Sequence, residues 1–405
     1  MKRQLKVHDP ILFGLTLLLT LVGLLFIFDA GYPRAMASGK GWIPPEFRTQ
    51  FIMTFAAILV GAVVSMVSGE RWYRLSKFIW FAAVLSLFLP MIPGLAYAQN
   101  GAARWFKLPG LPPVQPAEFV KVAVIIYLAG LLAKRKPWVT KPGKDWAQVL
   151  DRNLVPKLKR WLPFVWVLLA VVLIEKEPDL GTAAVVLLIG FGMLLAGNVS
   201  RFSLVFGAAS LLIGTGWLVT HEEYRMNRIR HHAERWSERN MDDVGWQTVQ
   251  SELGMASGAL VGVGVGAGRA KHVLPAATTD FVNATIGEEF GLVGMLAVLG
   301  LLAALTIRLL MLAMSAPTQF GALVLSGLAV WIGGQTCVNV MMANGLLPAI
   351  GIPMPFISSG GSSLIALWMG LGIGNACLAR VPETEEAYET GRDGWGHRRT
   401  RLSRA

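Results

Sequence analysis

Residues 11–28 read Ile11-Leu-Phe-Gly-Leu-Thr-Leu-Leu-Leu-Thr-Leu-Val-Gly-Leu-Leu-Phe-Ile-Phe28, a run without one charged side chain. A helix crosses the hydrocarbon core of a bilayer in about 20 apolar residues, so this stretch is nearly a complete span. Lys2, Arg3 and Lys6 before it give it the look of a secretory leader. No small-residue cleavage site follows, and similar segments recur downstream, so the reading is a retained first span. The others fall at 50–69, 77–97, 117–133, 161–174, 181–198, 203–220, 285–314, 319–345 and 363–380. The expected fold class is an all-α polytopic membrane protein with about ten transmembrane helices.

Composition agrees. Of 405 residues, 54% are hydrophobic and 15% charged, where a soluble domain carries roughly 25% charged residues. The net charge of +12 does not point to nucleic acid, because the basic residues collect between apolar spans, where they set topology. Cys337 and Cys377 each lie inside an apolar segment and signal neither a disulfide framework nor a metal site.

Arg71, Arg74 and Lys77 follow the second segment, a run from Lys134 to Arg160 follows the fourth, and Arg398, Arg399, Arg401 and Arg404 end the chain. An even span count puts all three on one side with the N-terminus, and excess Lys and Arg marks that side as cytoplasmic. The chain is then a multi-pass protein of the cytoplasmic membrane with both termini inside. The loops 31–49, 98–116, 221–284 and 346–362 are extracytoplasmic. Residues 1–380 read as one transmembrane domain, with the large loop 221–284 between helices seven and eight, and 381–405 as a disordered cytoplasmic tail.

Polar residues stand out against this background. Asp280, Glu288 and Glu289 sit where the large loop meets the eighth span, and carboxylates at a membrane seam usually serve function. Asp280 could cap the coming helix. Thr285-Ile-Gly-Glu288 has the capping-box pattern, however, which starts the helix later and leaves Asp280 free. Glu288 and Glu289 complement a helix dipole. Glu118 and Lys121, three apart on one face, pair with each other or hold an anionic head group. The run Gly258 to Gly268 holds a loose glycine fingerprint without a βαβ unit around it, so close packing is the reading rather than a dinucleotide site. Residues 250–268 are expected to be re-entrant or interfacial. Pro353-Met-Pro-Phe-Ile-Ser-Ser-Gly-Gly-Ser-Ser363 reads as a turn dipping between two spans, with Ser358 and Ser362 as candidate contacts to a sugar or phosphate.

Together Asn100-Gly…Arg104-Trp105, Gln115-Pro-Ala-Glu118…Lys121, Pro178-Asp-Leu-Gly-Thr182, Thr279-Asp-Phe281…Glu288-Glu289…Gly291 and Gly351-Ile-Pro-Met-Pro-Phe-Ile-Ser-Ser-Gly-Gly-Ser-Ser363 resemble the SEDS family, the FtsW, RodA and SpoVE proteins. Tyr224-Arg-Met-Asn-Arg228 leans toward its division-type, FtsW-like branch. The resemblance implies a peptidoglycan glycosyltransferase that polymerises lipid II at the outer membrane face, for division or elongation. It implies a class B penicillin-binding protein as partner, besides lipid II, the growing glycan strand and membrane lipids. It assigns the essential acid to Asp280 and implicates Arg104, Glu118 and Lys121, with Arg269 added as a cation and Asp179 as support beside Glu288 and Glu289. There are two departures from the family. Ala276 and Thr278 stand where it usually has Glu and His, and Ser359 where it has Tyr. The expected chemistry has Asp280 as general base on an acceptor sugar hydroxyl. Cations, or a bound magnesium or manganese ion whose ligands the sequence does not reveal, stabilise the leaving pyrophosphate. A lipid II flippase and a non-catalytic scaffold for the transpeptidase are the competing readings.

Overall fold

The computed structural model describes residues 9–39, 41–99, 102–107, 109–110, 112–134, 164–197, 223–237 and 245–379, with scattered positions between 205 and 220. The basic run beyond Lys134, most of the expected seventh span and the tail 381–405 lie outside the described residues.

Helix α1 (Pro10–Ala37) starts at Asp9, whose carboxylate accepts the Leu12 N–H at 2.6 Å, with Pro10 in the first turn. A proline there has no N–H to leave unpaired. Thr16 and Thr20 return their hydroxyls to the carbonyls one turn back, both at 2.8 Å, so neither is orphaned in an apolar helix. α2 (Pro45–Ser65) and α3 (Gly69–Ser86) follow, then a 3-10 turn at Leu89–Met91. α4 (Pro116–Ala133) is next, then α5 (164–176), α6 (Leu180–Ala196), α7 (Glu223–Ala233) and α8 (Trp246–Ser257). The short α9 (Ala270–Val273) leads to α10 (Val282–Ser315), α11 (Gln319–Ala343) and α12 (Gly361–Cys377).

Among the described residues, six helices are long and apolar enough to cross a membrane: Pro10–Ala37, Pro45–Ser65, Gly69–Met91, Pro116–Ala133, Val282–Ser315 and Gln319–Ala343. Leu180–Ala196 and Gly361–Cys377 are apolar but shorter. α4 is buried nearly all round, packed by α3, α6, α11 and α12. That is where a helix belongs that is apolar on every side apart from one paired acid and base, Glu118 and Lys121. α2 and α3 instead expose Ile52, Phe55, Leu59, Phe78 and Phe81, the side chains a hydrocarbon surround would solvate.

Three details differ from expectation. The chain is not purely helical, because β1 (Ala96–Gln99) and β2 (Ala102–Phe106) pair antiparallel as a hairpin that places Arg104. No capping box forms, since α10 starts at Val282 with Phe281 as cap, and Thr285 and Glu288 lie buried inside it. The Glu288 carboxylate is drawn away by the Ala270 N–H at 2.7 Å, a tertiary bond that outcompetes the local one.

The third difference is a break in α10. Its 34 residues would run about 51 Å as one rod, well beyond a hydrocarbon core of about 30 Å. At Gly291 the backbone turns to φ 65°, ψ −164°, a conformation glycine adopts without steric cost. The break deprives the 292 and 293 N–H groups of their helical acceptors at 288 and 289. Ala259 O and Leu260 O take those N–H groups at 2.9 and 3.1 Å, while Val263 N and Gly264 N donate to Glu288 O and Glu289 O at 2.9 and 3.1 Å. The loop replaces both halves of the missing ladder. Contact is so close that a Cβ on Gly262 would stand 2.1 Å from Glu289 O. The glycine run serves this packing.

Candidate active site

The turn 274–281 carries Asp280 from α9 to α10, and nearly every carbonyl in it is held. Arg34 of α1 donates to Leu274 O at 3.0 Å and Pro275 O at 2.9 Å. Thr279 N and Phe281 N both donate to Ala276 O at 3.1 Å, and Ser359 N donates to Thr278 O at 2.8 Å. Ser358 Oγ donates to Thr279 O at 2.5 Å, and Asn339 Nδ2 donates to Asp280 O at 2.9 Å. Asn339 also donates to Ile352 O at 2.7 Å and accepts Asn283 Nδ2 at 2.6 Å, which ties α10 and α11 to the 351–358 segment.

The backbone is fixed and the carboxylate is left over. Among the described residues Asp280 makes no side-chain hydrogen bond or ion pair. The Gly351 backbone lies beside it, and a Cβ there would stand in ordinary contact with its Oδ2, at 3.5 Å. Asp280 is half-buried by surface, yet protein surrounds its carboxyl densely. Burial first, then the Asp179 carboxylate, push it up to about 6, with Arg104 pulling the other way.

Asp179 caps α6, accepting Thr182 N at 3.0 Å, and accepts Gln115 Nε2 at 2.7 Å with its other oxygen. Arg104 reaches across from β2 to Glu177 O at 3.1 Å and to Pro178 O. One residue that motif reading passed over is Glu177 itself. It is 2% exposed with neither carboxylate oxygen partnered among the described residues. Burial, then Asp179, against the pull of Arg104, push its carboxyl up to about 8. Glu177 holds a proton at neutral pH. The sequence signal was faint: Glu177 is one of four charged residues, with Glu175, Lys176 and Asp179, in a short polar break between apolar segments.

Beneath this cluster lies a buried polar core. Lys121 Nζ pairs with Glu118 Oε1 at 2.8 Å and donates to Gln335 Oε1 at 3.2 Å, above the Trp331 ring at 5.2 Å. Lys121 is 1% exposed and Glu118 3%, so this is an interior ion pair and not an open binding cation. Gln335 Nε2 donates to Pro353 O at 2.8 Å, joining the pair to the 351–358 segment. Ser358 and Ser362 are engaged in scaffolding, Ser358 with Thr279 O and Met354 N, Ser362 with Gln115 N at 3.0 Å. Arg269 is exposed at the start of α9.

Glu288 and Glu289 organise the glycine loop. Glu289 accepts Gly266 N at 2.9 Å and Gly268 N at 3.1 Å, and Glu288 accepts Ala270 N at 2.7 Å. Buried Lys271 bridges Glu289 at 2.6 Å and Asp29 of α1 at 2.7 Å. Burial works to lower Lys271, but its bonds to Asp29 and Glu289 raise it on balance. Lys271, Asp29 and Arg34 also escaped motif reading. Asp29 and Arg34 were marked only as charges at the end of an apolar span, and Lys271 only as one of the basic residues Arg269, Lys271 and His272.

Known proteins share this plan over nearly the whole chain. The family model described as cell cycle protein, covering FtsW, RodA and SpoVE, matches residues 10–381. A Geobacter sulfurreducens protein named probable peptidoglycan glycosyltransferase FtsW is 32% identical over 92% of this chain and 95% of its own length. A chain from a structure titled for the coordination of polymerization and crosslinking by a peptidoglycan synthase complex superposes with TM-score 0.67 at 28% identity, covering 91% of this chain and 96% of that one. The rod shape determining protein RodA of Thermus thermophilus gives TM-score 0.60 at 26% identity, covering 91% and 95%.

Proposed function

This chain belongs to the FtsW, RodA and SpoVE family of cell cycle proteins, and on that premise we propose that it is a peptidoglycan glycosyltransferase polymerising lipid II with Asp280 as general base. The observation that carries the role is a carboxylate left unpaired on a turn whose backbone is held from three sides. A base is most effective when its pKa lies near the working pH, and Asp280 near 6 is mostly ionised at neutrality while still able to hold a proton.

Asp280 takes the proton from the acceptor sugar hydroxyl. That oxygen attacks the anomeric carbon of the donor, and the bond to the lipid pyrophosphate breaks. The pyrophosphate leaves with charge it already carries, so no second carboxylic acid is required to protonate it. Arg104 is the cation nearest in effect to Asp280. Lys121 is spent in its interior pair and contributes through the scaffold. A magnesium or manganese ion carried with the pyrophosphate would add its charge to that of Arg104; among the described residues no three His, Cys, Asp or Glu side chains cluster, and such an ion needs only one or two carboxylates beside the phosphates.

The wider reading has ten spans, both termini cytoplasmic and Asp280 at the outer face. In its support, Lys134 lies over Tyr73 at 5.0 Å, close to Arg71 and Arg74 in sequence. These cations thus gather at the end of α4 away from Gln115, Asp179 and Asp280. The partner reading is a class B penicillin-binding protein, supported by the likeness to a chain of a peptidoglycan synthase complex. The test is direct: purified protein given lipid II should form glycan polymer, and Asp280→Asn, nearly isosteric but not basic, should not. Polymer from the variant at the unmodified rate would sink the assignment.

A further inference from the structure

Asp280 stands on a turn whose last carbonyls are held by neutral donors from α11 and the 351–359 segment, while its first two are held by a cation from a different helix. Leu274 O has a second partner in Ala277 N at 3.3 Å. Pro275 O has only Arg34 among the described residues, and Pro275 has no N–H of its own. Hydrogen bonds from an ionised donor are roughly twice as strong as neutral ones. Arg34 is also placed by more than its own reach. Five residues earlier on α1, Asp29 pairs with Lys271 of α9 at 2.7 Å. Between them Gly31 packs so closely that a Cβ there would meet Pro44 at 2.8 Å and the Thr278 methyl at 3.6 Å. The end of α1 thus lies along the whole approach to Asp280, fixed at Lys271, at Thr278 and at the carbonyls of 274 and 275.

We propose that Arg34 is a positioning residue for glycosyl transfer: it anchors the start of the turn and so sets where the Asp280 carboxylate stands against the acceptor hydroxyl. The inference deepens the assignment of Asp280 as base and rests on it. Arg34 touches no reacting atom. It acts by removing freedom from a turn that has no regular secondary structure of its own between Leu274 and Phe281, and misplacing a reacting group by about 1 Å can cost on the order of 100-fold in rate.

The experiment compares Arg34→Met, which keeps the aliphatic stem and loses every donor, with Arg34→Lys, which keeps charge and a donor at shorter reach. Both are assayed on lipid II with kcat and KM separated, per molecule of monodisperse protein, and the amides of 276–281 are followed by hydrogen exchange. Arg34→Met should lose about 10- to 100-fold in kcat with KM within about twofold, and exchange in 276–281 should quicken. Arg34→Lys should recover most of both. A merely stabilising role would lower the melting temperature and leave kcat per folded molecule unchanged, and that result overturns the proposal. So does a loss of kcat without faster exchange in the turn. Asp280→Asn run beside them separates the two claims. If it is inactive while Arg34→Met is normal, the role of Arg34 alone fails; if it polymerises normally, both fail. Should Arg34→Met not be recovered folded, Arg34→Gln takes its place under the same criteria.

Discussion

Replacing Asp179 by Asn should move the acid limb of the pH–rate profile downward. In the unmodified protein Asp280 titrates near 6, so its ionised fraction falls from about 0.9 at pH 7 to about 0.1 at pH 5, and kcat/KM, which reports groups of the free enzyme, should fall about tenfold. An Asp at its ordinary value of 3.8 would lose almost nothing over that range. Burial and the Asp179 charge both raise Asp280. Asp179→Asn removes the second cause and keeps the first, so the midpoint should settle between 3.8 and about 6 and the drop at pH 5 should shrink to severalfold. The substitution is gentle because Asn accepts the Thr182 N–H as an N-cap about as well as Asp, and Gln115 can turn its amide to offer oxygen in place of nitrogen. Arg104→Met should shift the limb the other way, since Arg104 holds Asp280 down. The assay is initial rate of lipid II polymerisation from pH 4.5 to 8. Identical acid limbs in the unmodified protein and Asp179→Asn, or a flat profile from pH 7 to 5, would refute the electrostatic account.

Two further outcomes test the surroundings. Glu177 keeps its proton to about 8 in the fold against an ordinary 4.5, so the unfolded chain gives up that proton first and native stability should decline as pH rises between those values. The slope approaches about 1.4 kcal/mol per pH unit, and Glu177→Gln should remove it. Melting curves at pH 5, 6.5 and 8 read the difference, and parallel pH trends in the two proteins would contradict it. Lys271→Met strands the buried Glu289 carboxylate and should destabilise by about 3–5 kcal/mol. Adding Glu289→Gln should recover part of the loss in a thermal-shift measurement. An unchanged melting temperature in the single variant would show that the Lys271 bridges to Glu289 and Asp29 are both dispensable and would refute the argument.

The apolar spans were legible because an uncharged run of bilayer length has few other uses. Asp280 was legible as an acid at a seam, and its resemblance to a family motif sharpened that. Its partners were not, because Arg34, Asn339 and Ser358 act on backbone carbonyls, which carry no residue-specific mark. The Thr285–Glu288 pattern misled for a physical reason: a local cap competes with every tertiary donor in reach, and the Ala270 N–H was better placed. Glu118 and Lys121 illustrate the reverse case. Their spacing alone suggested mutual pairing, and the pair is there at 2.8 Å, with the Gln335 and Trp331 that complete its surroundings far away in sequence. The break in α10 left only one trace, a glycine after two glutamates, which is compatible with an unbroken helix.

That break constrains how the protein can be made. Its replacement ladder joins residues 259–264 to 288–293, a short separation in a chain of 405 residues, and contacts local in sequence form early and fast. The glycine loop leaves the ribosome first and waits for its complement, which arrives within seconds at ordinary elongation rates of about 5–20 residues per second. The upstream half of the active-site support can therefore mature as a nascent unit before α11 and α12 are synthesised, and those later helices dock onto a seam already formed.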